Sequence, residues 1–224
     1  MFGIIVALNH EVEKLLTAVE DLKEISLADK KAYTCKIAGN HCVIALSGIG
    51  KVSAGLTTQL VIDKFNPDFI LNFGTCGGMN DSVKILNYYA VEKCAQFDFD
   101  LRQLDGVPLG YIQDYDRVFF PTQTLGIEYL EKSIVASADR FTDDQIDVNS
   151  INEMGASLRD MEGGAIGQVC LSNNVPLYMI KGITDIFGSG TSGEQFYKNL
   201  QQVSAGFPDV IITAVKNIIK ARNS

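Results

Sequence analysis

The sequence predicts an α/β fold: a three-layer α/β/α sandwich around a mixed, mostly parallel, twisted central sheet. Two observations carry this. Short apolar runs alternate with longer helical patterns along the whole chain. Several of those runs, such as Phe69-Ile70-Leu71 and Leu177-Tyr178-Met179-Ile180, are continuously apolar, as in strands covered on both faces. With 224 residues, no repeat and no Ser/Pro-rich linker, residues 1–224 read as a single domain large enough to bury its own core.

The first strand is predicted over 2–8, where an apolar run is stopped by Asn9, His10 and Glu11. The run has no basic residues before it and is too short for a signal peptide or a membrane span. A helix follows from about Glu11. Strands are expected near 31–38 and 41–46, a helix over 51–65, and strands over 68–73 and near 86–92. In the second half the pattern gives a strand near 133–137, a helix from about Glu162 and a strand over 176–183. Helical segments from 194 to 221 are expected to break at Gly206-Phe207-Pro208, because proline lacks the N–H of a helix interior.

Composition narrows the ligand. Lys plus Arg number 19 and Asp plus Glu 27, a formal charge of −8, and no basic block interrupts that balance. A nucleic-acid partner has no electrostatic footprint here. The five cysteines are an odd number without a CxxC pair, and His10 and His41 are the two histidines. A reduced, cytoplasmic chain without structural zinc is the economical reading.

Ligands of open α/β sheets bind beyond the carboxyl ends of the strands, so the residues after each apolar run deserve inspection. Glu11 follows the first strand; alone, a glutamate in a first helical turn reads as a cap rather than a catalyst. Ser47-Gly48-Ile49-Gly50-Lys51 follows a strand and opens a helix, where backbone amides suit an anion, but its spacing is not that of a Walker A loop. Gly74-Thr75-Cys76-Gly77-Gly78 reads as a flexible turn bearing a hydroxyl. Asp160-Met161-Glu162-Gly163-Gly164 sets two carboxylates before a small-residue helix, which capping also explains. Thr184-Asp185 directly follows a buried strand, where a carboxylate is costly unless it is used, and this makes Asp185 the best single candidate for chemistry. Asp98 and Asp100 alternate with Phe97 and Phe99, a pattern better suited to an edge or interface than to a metal site. Cys76 reads as a small buried filler.

Taken in order, these motifs carry a resemblance. The chain resembles the nucleoside phosphorylase and nucleosidase superfamily, most of all the 5′-methylthioadenosine/S-adenosylhomocysteine nucleosidases, through Glu11-Val12, Ser47-Gly48-Ile49-Gly50-Lys51, Gly74-Thr75-Cys76-Gly77-Gly78, Ser137-Ala138-Asp139-Arg140-Phe141, Asp160-Met161-Glu162-Gly163 and Ile183-Thr184-Asp185. The resemblance implies hydrolysis of the N-glycosidic bond of 5′-methylthioadenosine, extending to S-adenosylhomocysteine, with release of adenine and a thioribose. This is nucleoside catabolism in methionine salvage, without cofactor or metal.

It further implies that Glu11 activates water, Glu162 grips the ribose hydroxyls with Met161 against the sugar, and Asp185 protonates purine N7. Phe141 and Thr142 fall where the family holds the purine; Ile49, Thr75, Cys76, Gly77, Asp160 and Thr184 complete the expected pocket. A homodimer is implied, with Phe97 or Phe99 finishing the partner's 5′ pocket. A phosphorylase, the alternative, carries an arginine just before the Gly-Thr-Cys-Gly turn; here the stretch is Leu71-Asn72-Phe73-Gly74, which favours hydrolysis. A nucleosidase for another purine nucleoside is the other alternative. The stretch 188–193 is small and lacks the aromatic that bacterial members place there, while Asp-Met-Glu-Gly is closer to plant-type members.

Overall fold

A computed structural model describes residues 1–141 and 143–224. Ten strands form one mixed sheet: β1 (Phe2–Val6), β2 (Glu20–Leu27), β3 (Lys30–Ile37), β4 (Asn40–Leu46), β5 (Ile70–Gly78), β6 (Tyr88–Gln96), β7 (Phe120–Pro121), β8 (Glu131–Ser137), β9 (Leu158–Asp160) and β10 (Leu177–Ile186). The helices are α1 (Asn9–Leu16), α2 (Lys51–Phe65), α3 (Arg102–Asp105), α4 (Gln145–Glu153), α5 (Gly163–Ser172) and α6 (Ser192–Arg222). Parallel pairing holds the centre: β1 lies between β4 and β5, and β10 runs parallel to β5. The pairings β5–β10–β6–β8–β9–β5 run in a ring, so this half of the sheet curls on itself.

Side-chain alternation along β1 produces the layers. Phe2, Ile4 and Val6 face a core shared with Val12 and Leu15 of α1 and with Phe207, Ile211 and Val215 of α6. Ile5 faces the other core, with Val61 and Ile62 of α2 and Ile166 and Cys170 of α5. A β-carbon on Gly3 would lie 2.6 Å from Ile70 Cδ1 and 2.9 Å from Val61 Cγ1, so glycine here sets how closely α2 packs.

Three expectations need correction. The stretch 74–78 is no turn: β5 runs through Gly78, pairing with β10 as far as Ile186 and with β9 at Gly77 and Gly78. Its glycines leave room for side chains from the flanking strands. Asp185 likewise lies within β10, at a bulge between Ile183 and Asp185 that re-aims the strand end. Helix α6 continues through Pro208. What looked like a break is packing: Phe207 is buried against Phe73 and Tyr88, and the Tyr88 hydroxyl, lying where a Gly206 side chain would be, donates to the Val203 carbonyl at 2.6 Å. Strands β2, β7 and β9 and helices α3 and α4 are additions. Strand β2 is an exposed, charged edge strand whose sequence, Glu20-Asp21-Leu22-Lys23-Glu24, carries no alternation.

Candidate active site

A cavity of about 1170 Å³ opens where β1, β5, β9 and β10 end. Glu11, Glu162 and Asp185 all line it, and they are 2%, 8% and 1% exposed. Carboxylates so enclosed must be hydrogen-bonded.

Glu11 is both cap and wall. The Leu8 amide donates to Oε2 at 2.9 Å, closing the start of α1, while the Thr75 amide (2.6 Å) and hydroxyl (2.8 Å) donate to Oε1. The capping reading and the functional one therefore describe a single side chain. At Gly74 a β-carbon would stand 3.0 Å from Glu11 Oε1, so this tight seat depends on glycine.

Asp185 receives the Thr184 hydroxyl at Oδ1 (2.8 Å) and Arg159 Nη2 at Oδ2 (3.3 Å). Between β5 and β10 the space for this comes from Gly77, whose β-carbon would fall 2.8 Å from Asp185 Oδ2.

Glu162 precedes α5 and accepts from the Gly50 amide at 2.8 Å. The glycine turn before α2 thus spends its amides on this chain's own carboxylates, Glu162 at Gly50 and Asp139 Oδ1 at Lys51 (2.6 Å). Burial and the charge of Asp160 push the Glu162 carboxyl up to about 7, against the pull of Lys181 and the Gly50 amide. Asp160 is bonded by the Ser137 hydroxyl, the Gly163 amide at 2.9 Å and Lys181 Nζ at 2.7 Å. Burial pulls the proton affinity of Lys181 down, but Asp160 and Glu162 outweigh it, and the ammonium is held above its ordinary value. Cys76 is buried, which raises its thiol well above the ordinary value and leaves it a filler.

Ile49, Thr75, Gly77, Phe97, Phe141, Met161 and Thr184 also line the cavity, as do Cys76 and Asp160. Phe97 is buried in the wall of its own chain's cavity. Phe99 does not line it and is half-buried against the main core. Thr142 lies outside the described residues. Asp98 and Asp100 are spoken for by cations, Lys51 at 2.5 Å and Arg102 at 2.7 Å.

Several lining residues were not anticipated. Phe196 and Tyr197 enter from the first turns of α6, so aromatics absent from 188–193 arrive a few residues later. Phe196 meets Phe141 edge-on at 5.8 Å. Arg159, central in β9, lies in a strand that is buried throughout, and nothing in the sequence around it signals this.

The chain belongs to the phosphorylase superfamily, whose family model matches residues 1–216. Within it, the chain is similar to 5′-methylthioadenosine/S-adenosylhomocysteine nucleosidases. It is 30% identical to that of Buchnera aphidicola subsp. Schizaphis graminum, over 96% of both chains, and 29% identical to that of Staphylococcus carnosus, over 97% of this chain and all of the other. The nucleosidase structure from Colwellia psychrerythraea in complex with adenine has a TM-score of 0.88 at 26% identity, covering 96% of this chain and 94% of that one.

Proposed function

We propose that this protein hydrolyses the N-glycosidic bond of 5′-methylthioadenosine and S-adenosylhomocysteine, releasing adenine and a 5-thioribose. One observation carries the reading. Three buried carboxylates from separate segments meet in one cavity, each with different hydrogen-bond partners. Inverting glycosidases divide labour in the same way, with an acid on the leaving group and a base on the water.

Glu11, held by neutral donors, takes a proton from the attacking water. Asp185 donates to purine N7, so the base departs as a neutral molecule while the sugar gains oxocarbenium character. Glu162 accepts from the ribose hydroxyls, with Met161 against the sugar face and Phe141 near the purine. Water is favoured over phosphate because Glu11 would repel an anion, and the two arginines of the cavity are already paired with this chain's own carboxylates. Arg140 bonds Asp147 at 2.5 Å, and Arg159 bonds Asp143 and Asp185. The test is release of free base from a nucleoside panel with and without phosphate. Base release independent of phosphate, with free thioribose as co-product, is expected; formation of a sugar 1-phosphate would overturn the assignment.

Cavity size favours a second reading, a nucleoside with a bulkier 5′ group, since about 1170 Å³ exceeds the usual range for small-ligand pockets. The futalosine hydrolase structure of Helicobacter pylori is also similar, with a TM-score of 0.88 at 25% identity.

We assign the chain as one catalytic unit, 1–224, acting in the cytoplasm, which its five free buried cysteines support. A homodimer is supported by Val52 and Leu56, which expose apolar surface one turn apart on α2, with Ile49 just before it. Sedimentation equilibrium checks the oligomer.

A further inference from the structure

Arg159 lies in a strand three residues long and is 9% exposed. A guanidinium so enclosed is costly unless acceptors surround it. Its Nη2 lies 2.6 Å from Ser192 Oγ, 3.0 Å from Asp143 Oδ1 and 3.3 Å from Asp185 Oδ2. These acceptors stand on three segments: the start of α6, the loop after β8 and the end of β10. Ser192 also donates to Asp143, from its hydroxyl at 2.5 Å and its amide at 3.1 Å, so the loop and the helix are tied to each other as well as to the arginine. The same loop carries Phe141, whose ring centre is 5.9 Å from the guanidinium carbon. Burial pushes the Asp143 carboxyl up, but bonds from Ser192 and Arg159 prevail and leave it below its ordinary value. At Gly77 a β-carbon would fall 2.8 Å from both Arg159 Nε and Asp185 Oδ2, so that backbone is shaped around the pair.

We propose that Arg159 is the positioning residue of this site, fixing Asp185 for proton donation and locking the Phe141 loop and the start of α6 against it. The inference rests on the reading of Asp185 as the acid. In the step, the Asp185 O–H bond breaks and an N7–H bond forms, while the electron pair of the C1′–N9 bond passes to the purine. Water oxygen bonds to C1′ and gives its proton to Glu11. Asp185 is neutral before transfer and anionic after it, and a guanidinium at Oδ2 binds the anion more strongly. That interaction grows toward the transition state, so its loss lowers kcat more than it raises KM.

The experiment compares wild type with Arg159→Met, Arg159→Lys and Arg159→Ala, by adenine release from 5′-methylthioadenosine, with circular dichroism to establish folding. The methionine variant should lose on the order of 10²-fold in kcat, the scale of a misplaced catalytic group. KM should move far less. Lysine should recover about tenfold of that loss. Guanidinium ion added to the alanine variant should raise its kcat and leave wild type unmoved. Ser192→Ala spares both ion pairs and tests the lock where an Arg159 variant does not fold; about a tenfold fall in kcat is expected. Wild-type kcat in folded Arg159→Met or in Ser192→Ala, or failure of both lysine and guanidinium to restore activity, overturns the proposal and leaves the reading of Asp185 standing. No base release by the wild-type chain overturns that reading and this inference with it.

Discussion

Glu11 and Asp185 are equally buried in the wall of one cavity, yet they are held in different ways. Glu11 is held by three neutral donors: two amides and a hydroxyl. Asp185 has one hydroxyl and one guanidinium. Backbone amides and a hydroxyl fix the orientation of Glu11, whereas the guanidinium beside Asp185 pairs with the anion that remains once the proton has passed to the purine. The acid and the base of the proposed reaction are distinguished by their neighbours, since the side chains themselves are nearly alike.

The most severe way to break this comparison is to remove each ionisable group and keep its shape. Asp185→Asn leaves an acceptor for Thr184 or Arg159 but no proton to give, and Glu11→Gln cannot take one. Each should lower kcat by about 10²- to 10⁴-fold while ligand affinity, measured by calorimetry, stays within about tenfold. Equal turnover in either variant would remove its assigned role.

Asp160 and Lys181 form a buried pair beside Glu162. Lys181→Met would strand Asp160 without its cation, at a cost of about 3–5 kcal/mol in denaturant unfolding. Stability unchanged from wild type would show that Ser137 and Gly163 suffice for Asp160.

Glu162 offers a test by pH. Its carboxyl sits up at about 7, above its ordinary value of about 4.3. Between those values the folded chain keeps a proton that the unfolded chain has released. Stability therefore falls as pH rises through this window, and the full penalty applies above it. Glu162→Gln removes the penalty, so its melting temperature relative to wild type should climb from pH 5 to pH 8. A constant difference would show that Glu162 titrates normally.

Much of this site was legible because its residues follow apolar runs. Glu11 and Asp185 come just past, or at the end of, strands that hydrophobic patterning reveals, while Glu162 stands out as one of two carboxylates before a small-residue helix. The extent of those strands was less legible. Gly74–Gly78 looks like a turn in sequence and Thr184-Asp185 like the residues after a strand, because glycine and polar residues normally interrupt strands, whereas here they are the ends of β5 and β10, from which Thr75, Cys76, Gly77, Thr184 and Asp185 line the cavity. Tertiary pairing overrode local preference. Arg159 was silent for a different reason: its acceptors among the described residues lie 16 to 33 positions away in sequence, and no local pattern brings them together.

The smallest effect sharpens the comparison most. Thr75 and Thr184 each donate a hydroxyl to a proposed catalytic carboxylate at 2.8 Å. Replacing either by valine keeps the branched shape and removes one charge-assisted hydrogen bond, which is worth about 1.5–3 kcal/mol. The consequences should nonetheless differ. In Thr75→Val, Glu11 keeps the Thr75 and Leu8 amides, both fixed by backbone, so the loss in kcat should be only a few-fold, below that nominal value. In Thr184→Val, Asp185 keeps only the longer bond to Arg159 among those described, and its Oδ1 is stranded in a buried setting. There the full value should appear as about a ten- to hundredfold loss in kcat. Parallel kinetics on the two variants decide the matter. If Thr75→Val proves the worse of the two, the base depends on its hydroxyl more than on its amides, and the division between a backbone-held base and a side-chain-held acid fails.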